Sequence, residues 1–253
     1  MDTIIRAGTS GFSYKEWRGH FYPEDLPQDQ WLTYYADQLP TVEINNTFYR
    51  MPKSHVVEAW RNAVPDNFRF VIKASRRITH IKRLNDAAEP TEFLLKATSL
   101  LGDKLGAVLF QCPPNMRENL DRLEAFLELL PEGYPAAFEF RHESWDSPET
   151  SALLAAHKHA RVVAHGDDEP LNDIPKSDFV YLRLRATQYT PASLTKWHNK
   201  VDKSGASRAF VFFKHEDAGA GPKMAQKFLQ KSTARKAPQR APRKVTTRKR
   251  KAN

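Results

Sequence analysis

The sequence predicts an α/β fold, a single (β/α)8 TIM-like barrel, followed by a basic C-terminal tail. Three observations predict it. Eight short runs rich in β-branched and aromatic residues recur through residues 4–214. Helical patterns with their own start and stop signals lie between most of them. Several runs also alternate apolar with charged residues on a period of two. Charges on one face of an interior strand need a lumen or a cleft, because burying them unpaired is costly. A doubly wound open sheet would alternate in the same way, so periodicity alone leaves that architecture open.

The first strand, Ile4–Thr9, exits into GTSGFSYKEWRGHFYP (8–23). Gly8 and Gly11 flank Thr9 and Ser10, a tight exit whose amides and hydroxyls offer an anion nest. It is no Walker loop, because the Gly-Lys-Ser/Thr ending is absent. Tyr14, Trp17, Phe21 and Tyr22 follow, either as a substrate wall or as a loop packed on its own aromatics. The second strand, Thr41–Asn45, sets Glu43 and Asn45 opposite Val42 and Ile44. The third, Phe68–Ala74, delivers Lys73, with Ser75, Arg76, Arg77, Thr79 and His80 behind it. The fourth, Gly106–Gln111, ends at Gln111, where Pro113 and Pro114 block an immediate helix.

The fifth, Ala136–Arg141, places Phe138 and Phe140 on one face and Glu139 and Arg141 on the other, then runs into His142, Glu143, Ser144 and Trp145. The sixth and seventh, Arg161–His165 and Phe179–Leu184, are separated by GDDEPLNDIPKSD. Its two prolines and lack of a helical face predict a loop where the sixth helix would stand. The seventh carries Tyr181, Arg183 and Arg185 on one face, and the eighth is Ala209–Lys214. Among the helices, Ser147-Pro148 and Thr190-Pro191 each place a capping hydroxyl before a proline at the first helical position. Leu120, Leu123, Leu127 and Leu130 form one helical face, ended by Pro131 and Gly133. Phe93, Leu94, Ala97, Leu100 and Leu101 form another.

The formal net charge of +9 is unevenly distributed. Residues 231–253 hold ten basic residues and no acidic one, so taking those ten from +9 leaves residues 1–230 at −1. The tail lacks aromatics and has almost nothing to bury, which predicts disorder. The expected division is therefore a barrel over 1–230 and a disordered tail over 231–253. Arg235, Lys236, Arg240, Arg243, Lys244, Arg248, Lys249, Arg250 and Lys251 would bind DNA or RNA without sequence preference. A single cysteine excludes an internal disulfide. With no apolar run of membrane length and no secretory leader pattern, the expected setting is the cytoplasm.

In a barrel, the polar ends of the strands meet at the catalytic C-terminal rim. Glu43, Glu139, Lys73, Arg141, Arg183 and Arg185 would gather there, and their positive excess points to a phosphate or carboxylate ligand. Glu139 or Glu43 would act as general base. Lys73, Arg141 and Arg183 would hold the anion, with Asn45, Gln111 and His80 beside them and Tyr14, Trp17 and Trp145 as walls. The competing reading of these charges is a structural ion-pair network. His80, His142, His165 and His215, with Glu43, Glu139, Asp167 and Glu216, lack the tight spacing of a zinc site, so no metal is expected. No cofactor is expected either. No Gly-x-Ser-x-Gly elbow exists, and Cys112 has no local base.

At these residues the chain resembles the YecE-like proteins, domain of unknown function seventy-two. The matching motifs are GTSGFSYKEWRG (8–19), FYP (21–23), VEINNTFYR (42–50), the stretch from Lys73 to His80, LGAVLFQCPP (105–114) and FEFRHESW (138–145). The resemblance implies a TIM-like barrel with a polar pocket at the strand C-termini, akin in shape to sugar isomerases and endonuclease-IV-like barrels. It implies no settled reaction. Such proteins usually carry Arg-Leu-His-Gly after the seventh strand, where this chain reads Arg183-Leu184-Arg185-Ala186. They often carry an Asn-rich turn after the eighth, where it reads Lys214-His215-Glu216-Asp217. Three functional expectations stand: a hydrolase or lyase on a phosphate-containing substrate, nucleic acid included; an isomerase or lyase of a small phosphorylated sugar; and a non-catalytic nucleic-acid-associated binding module.

Overall fold

Eight parallel strands close on themselves in sequence order: β1 (Ile4–Ser10), β2 (Thr41–Ile44), β3 (Arg69–Lys73), β4 (Leu105–Gln111), β5 (Ala136–Glu139), β6 (Ala160–His165), β7 (Phe179–Leu184) and β8 (Arg208–Phe213). The computed structural model describes residues 3–167, 169–214 and 217–236. Closure is made by β8 pairing with β1, from Ile4 opposite Arg208 to Thr9 opposite Phe213. That ring of pairing rules out the open sheet.

Period-two alternation then sorts each strand's side chains between two cores. Val71, Ala107, Leu109, Ala137, Ala160, Val162, Phe179, Tyr181, Phe210 and Phe212 fill the barrel interior. Val42, Ile44, Phe70, Ile72, Val108, Phe110, Phe138, Leu182 and Val211 point outward, into the layer shared with the helices. Near the C-terminal rim the inward positions turn polar. Ser10, Glu43, Lys73, Gln111, Glu139 and Arg183 replace the apolar residues that precede them, so the plugged barrel ends in a polar floor.

The surrounding helices are α1 (Trp31–Gln38), α2 (Ser54–Asn62), α3 (Ala88–Ser99), α4 (Leu120–Leu127), α5 (Pro148–Ala156), α6 (Pro191–Lys203) and α7 (Ala220–Lys236). The Ser147 hydroxyl accepts from the Thr150 amide, and that of Thr190 from the Ser193 amide, with proline at the first position of each helix. Asn119 caps α4 in the same way. Among the described residues no helix connects β6 to β7, as the two prolines predict.

Three boundaries differ from expectation. Phe93 is 62% exposed, and α3 instead buries Thr91 and Leu94, then Thr98 a turn later, with Leu101 just beyond. Thr98 can be buried because its hydroxyl donates to the Leu94 carbonyl and meets the Tyr134 hydroxyl, which satisfies its polarity. β5 stops at Glu139, leaving Phe140 and Arg141 on the loop beyond it. The closing helix α7 runs to Lys236, into the segment assigned by composition to the tail. It buries Ala225 and Phe228 and packs on β1 and α6. Arg235 and Lys236 fall in its last turn; Arg240, Arg243, Lys244, Arg248, Lys249, Arg250 and Lys251 lie outside the described residues. No described helix is long and apolar enough to cross a membrane.

Candidate functional site

Two buried carboxylates organise the rim. Glu43 is fully enclosed: its Oε1 accepts from Arg183 at 2.7 Å and from Asn45 Nδ2 at 3.0 Å, and its Oε2 from the Tyr181 hydroxyl at 2.6 Å. Glu139, 2% exposed, accepts from Arg183 at 2.6 Å, Gln111 Nε2 at 2.9 Å, Arg185 at 3.1 Å and Arg141 at 3.3 Å. Arg183 therefore bridges both glutamates across the lumen, one guanidinium nitrogen to each, a fork that lysine could not supply.

This pairing fixes protonation. Burial pushes the Glu139 carboxyl up, but Arg183, Arg185, the Gln111 amide and Arg141 override it and hold the group at about 2. Glu43 is likewise held below the usual carboxylate range, burial being outweighed by Arg183 and Tyr181. Both stay ionised at neutral pH with their oxygens occupied. At about 2, Glu139 is a weak base, and the geometry sets both Glu139 and Glu43, the two expected general bases, as anchors for Arg183.

Lys73 is placed differently. Its Nζ donates to Gln111 Oε1 at 2.9 Å and sits 4.2 Å from the centre of the Phe48 ring. The Gln111 amide, committed on its nitrogen side to Glu139, can offer Lys73 only its neutral oxygen. Burial first, and then the nearby Arg183, lower the ammonium to about 8. His80 meets the same Phe48 ring edge-on at 4.9 Å and bonds the Thr79 hydroxyl. Burial and the positive charge of Lys73 and Arg141 lower its pKa too.

Above this floor opens a cleft of about 310 Å³, lined by Ser10, Tyr14, Asn45, Tyr49, Lys73, Gln111, Arg141, Arg183, Arg185 and Lys214. Five of these are cations, set against two carboxylates already paired beneath them. The structure thus gathers Glu43, Glu139, Lys73, Arg141, Arg183, Asn45, Gln111 and Tyr14 in one place, with His80 at its margin. Gly11 helps hold Tyr14 there. Its φ of +97° is left-handed, and a Cβ on it would collide with the Tyr14 ring and hydroxyl. That hydroxyl donates to the Ser10 carbonyl at 2.6 Å.

Two expected walls are elsewhere. Trp17 is fully buried among Tyr14, Phe21 and Tyr22, so the first loop packs largely on its own aromatics. Trp145 is also fully buried, stacked on Phe140 at 4.1 Å with its indole donating to the Met116 carbonyl at 2.7 Å. Large flat rings beside a strand end gained more area by packing under the loops than by facing a polar cleft. The nest reading fails for a similar reason: the Gly11 amide donates to the Glu43 carbonyl and the Thr9 amide to the Tyr35 hydroxyl.

Tyr49 and Lys214 line the cleft as well, beyond the residues that strand alternation points to, and Lys214 directly follows a strand in the sequence. No cluster of metal-ligating side chains occurs among the described residues; His215 and Glu216 lie outside them. Cys112 is buried, and burial pushes its thiol to about 12, far from a reactive thiolate.

A family model described as a protein of unknown function, DUF72, matches residues 6–248. UPF0759 protein YunF of Bacillus subtilis is 30% identical over 143 residues, 52% of this chain and 50% of that protein. UPF0759 protein YecE of Escherichia coli K12 is 35% identical over 113 residues, 44% of this chain and 41% of that protein. The matched stretches span half or less of these curated relatives. Among solved structures, a DUF72 family protein from Thermotoga maritima superposes with a TM-score of 0.79 at 26% identity, covering 91% of this chain and 99% of that one. One from Enterococcus faecalis shares the fold at 21% identity and a TM-score of 0.72, covering 90% and 94%.

Proposed function

We propose that this chain, which belongs to the DUF72 family of proteins of unknown function, is an anion-binding barrel whose rim cleft takes a small phosphate-bearing substrate and acts on it as a lyase or hydrolase. One observation carries the reading: five cationic side chains line a cleft of about 310 Å³ whose two carboxylates are already consumed from below. Cations in surplus, held by a rigid lattice, are preorganised for an anion and need little reordering to bind it. Arg141, Arg185 and Lys214 would contact the anion, and Arg183 would add field from beneath. Since Glu43 and Glu139 are locked as ion-pair anchors, proton transfer falls to Lys73, whose ammonium is lowered to about 8. The cleft volume favours a small phosphorylated molecule over a polymer at this site.

A second reading concerns the tail. Ten cations in residues 231–253 with no carboxylate favour nonspecific binding of DNA or RNA by counterion release. The two readings are independent, one for the barrel and one for the tail.

The barrel reading is tested by titrating inorganic phosphate in a calorimeter and in thermal denaturation, with sodium chloride at matched ionic strength as reference. Phosphate should raise the melting temperature in a saturable way, and Arg185→Ala should weaken it several-fold. Equal effects of phosphate and chloride would remove the anion site.

A further inference from the structure

We propose that Lys73 is a nucleophilic amine that forms an imine with the carbonyl carbon of a phosphorylated aldehyde or ketone. This deepens the anion-cleft reading and rests on it. The geometry begins with what Lys73 lacks. Arg141, Arg183 and Arg185 each hold a carboxylate, whereas the described partner of Lys73 Nζ is a neutral amide oxygen. Gln111 is fixed by Glu139, so it aims the amine without neutralising an ammonium charge. The groups facing Lys73 are Arg183 from β7, Glu139 at the end of β5, Arg141 on the loop beyond it, Glu43 from β2, and His80 beyond β3. Burial does most to favour the uncharged amine; Arg183 and Arg141 act with it, Glu43 and Glu139 oppose it, and the pKa near 8 expresses the balance.

The step balances within the protein and the substrate. The Lys73 lone pair attacks the carbonyl carbon to form a C–N bond, giving a carbinolamine. The former carbonyl oxygen then leaves as water, and Nζ loses both its hydrogens in the overall exchange of C=O for C=N. His80, sharing the Phe48 ring with Lys73 and shifted toward its neutral form, is placed to relay the protons. The protonated imine withdraws electrons from the adjacent carbon, which suits bond cleavage or enolisation there. The phosphate would lie against Arg141, Arg185 and Lys214 on the same cleft wall.

The experiment uses the full chain with pyridoxal 5′-phosphate as an aldehyde that carries phosphate, pyridoxal as its phosphate-free control, and borohydride to reduce any imine. Peptide mass mapping locates the label. At pH 7 an amine with a pKa near 8 has far more of the uncharged form than a surface lysine near 10.5, so Lys73 should be labelled roughly tenfold or more faster than any other lysine. Labelling should increase as pH rises through about 8, and inorganic phosphate should protect. Lys73→Arg keeps the charge and should still bind phosphate by calorimetry while losing the rapid label. Phosphate binding with Lys73 labelled no faster than surface lysines would overturn the imine and leave the anion cleft standing. Rapid labelling of Lys73 by pyridoxal and its phosphate alike, with no phosphate binding, would uphold the amine and sink the anion cleft.

Discussion

Replacing Glu139 by Gln separates an anchoring carboxylate from a catalytic one. The substitution preserves shape but removes the charge that holds Arg183, Arg185 and Arg141. The folded carboxyl is held at about 2 against an ordinary value of 4.5. That depression corresponds to about 3 kcal/mol of native stability. The side chain is 3% exposed, so solvent screening removes little of it. The sign follows from the depression: this stability is present above about pH 4.5 and is lost as pH falls toward 2. Glu139→Gln should therefore be about 3 kcal/mol less stable at pH 7, a fall in melting temperature of roughly 6–12 °C for a chain of this size. The gap should close between about pH 4.5 and 2, where the wild-type carboxyl also becomes neutral. Denaturant melts of both proteins at pH 7, 5 and 3 measure it. Were Glu139 a free general base instead, the variant would stay within about 0.5 kcal/mol of wild type. A stability difference absent at pH 7, or unchanged from pH 7 to 3, refutes the anchoring argument.

Other substitutions test the remaining parts. Arg141 is 38% exposed along its side chain and makes one long contact to Glu139, so Arg141→Ala should weaken phosphate binding several-fold and leave the melting temperature nearly unchanged; a lost melting temperature with intact affinity would make it structural. Trp145→Ala should cost about 3–5 kcal/mol and leave phosphate affinity untouched in whatever fraction folds, since the ring is core and not wall. Gly11→Ala forces a left-handed residue and displaces Tyr14, for a cost of about 1–3 kcal/mol in denaturant melts. Deleting residues 237–253 spares α7 and removes seven of the tail's cations. If about five of these seven reach phosphates, the full chain should lose duplex affinity with a log–log salt slope near −4.5, and the truncated chain should lose most of that slope. Equal DNA titration curves for the two would move nucleic-acid binding to the barrel.

Much of this architecture was legible in the sequence because period and punctuation are local properties. The eight strands, the proline-capped starts of α5 and α6, and the lack of a helix between β6 and β7 among the described residues all follow from neighbours in the chain. So does the list of polar residues at the rim: alternation in VEI, AAFE and FVYLRL places Glu43, Glu139 and Arg183 on inward faces before any contact is known. What the sequence could not decide is which of these groups spend their charge on one another. Glu43 and Arg183 are 140 residues apart, and Glu139 and Arg183 are 44 apart. Their pairing exists only once the barrel closes and brings opposite strands across one lumen. That closure pairs Glu43 and Glu139 with one arginine and leaves Lys73 as the amine facing a neutral partner. It also consigns Trp17 and Trp145 to the core, because burial is decided by the loops that fold over a ring, and aromatic residues at strand ends look alike in sequence whether they wall a cleft or fill a core.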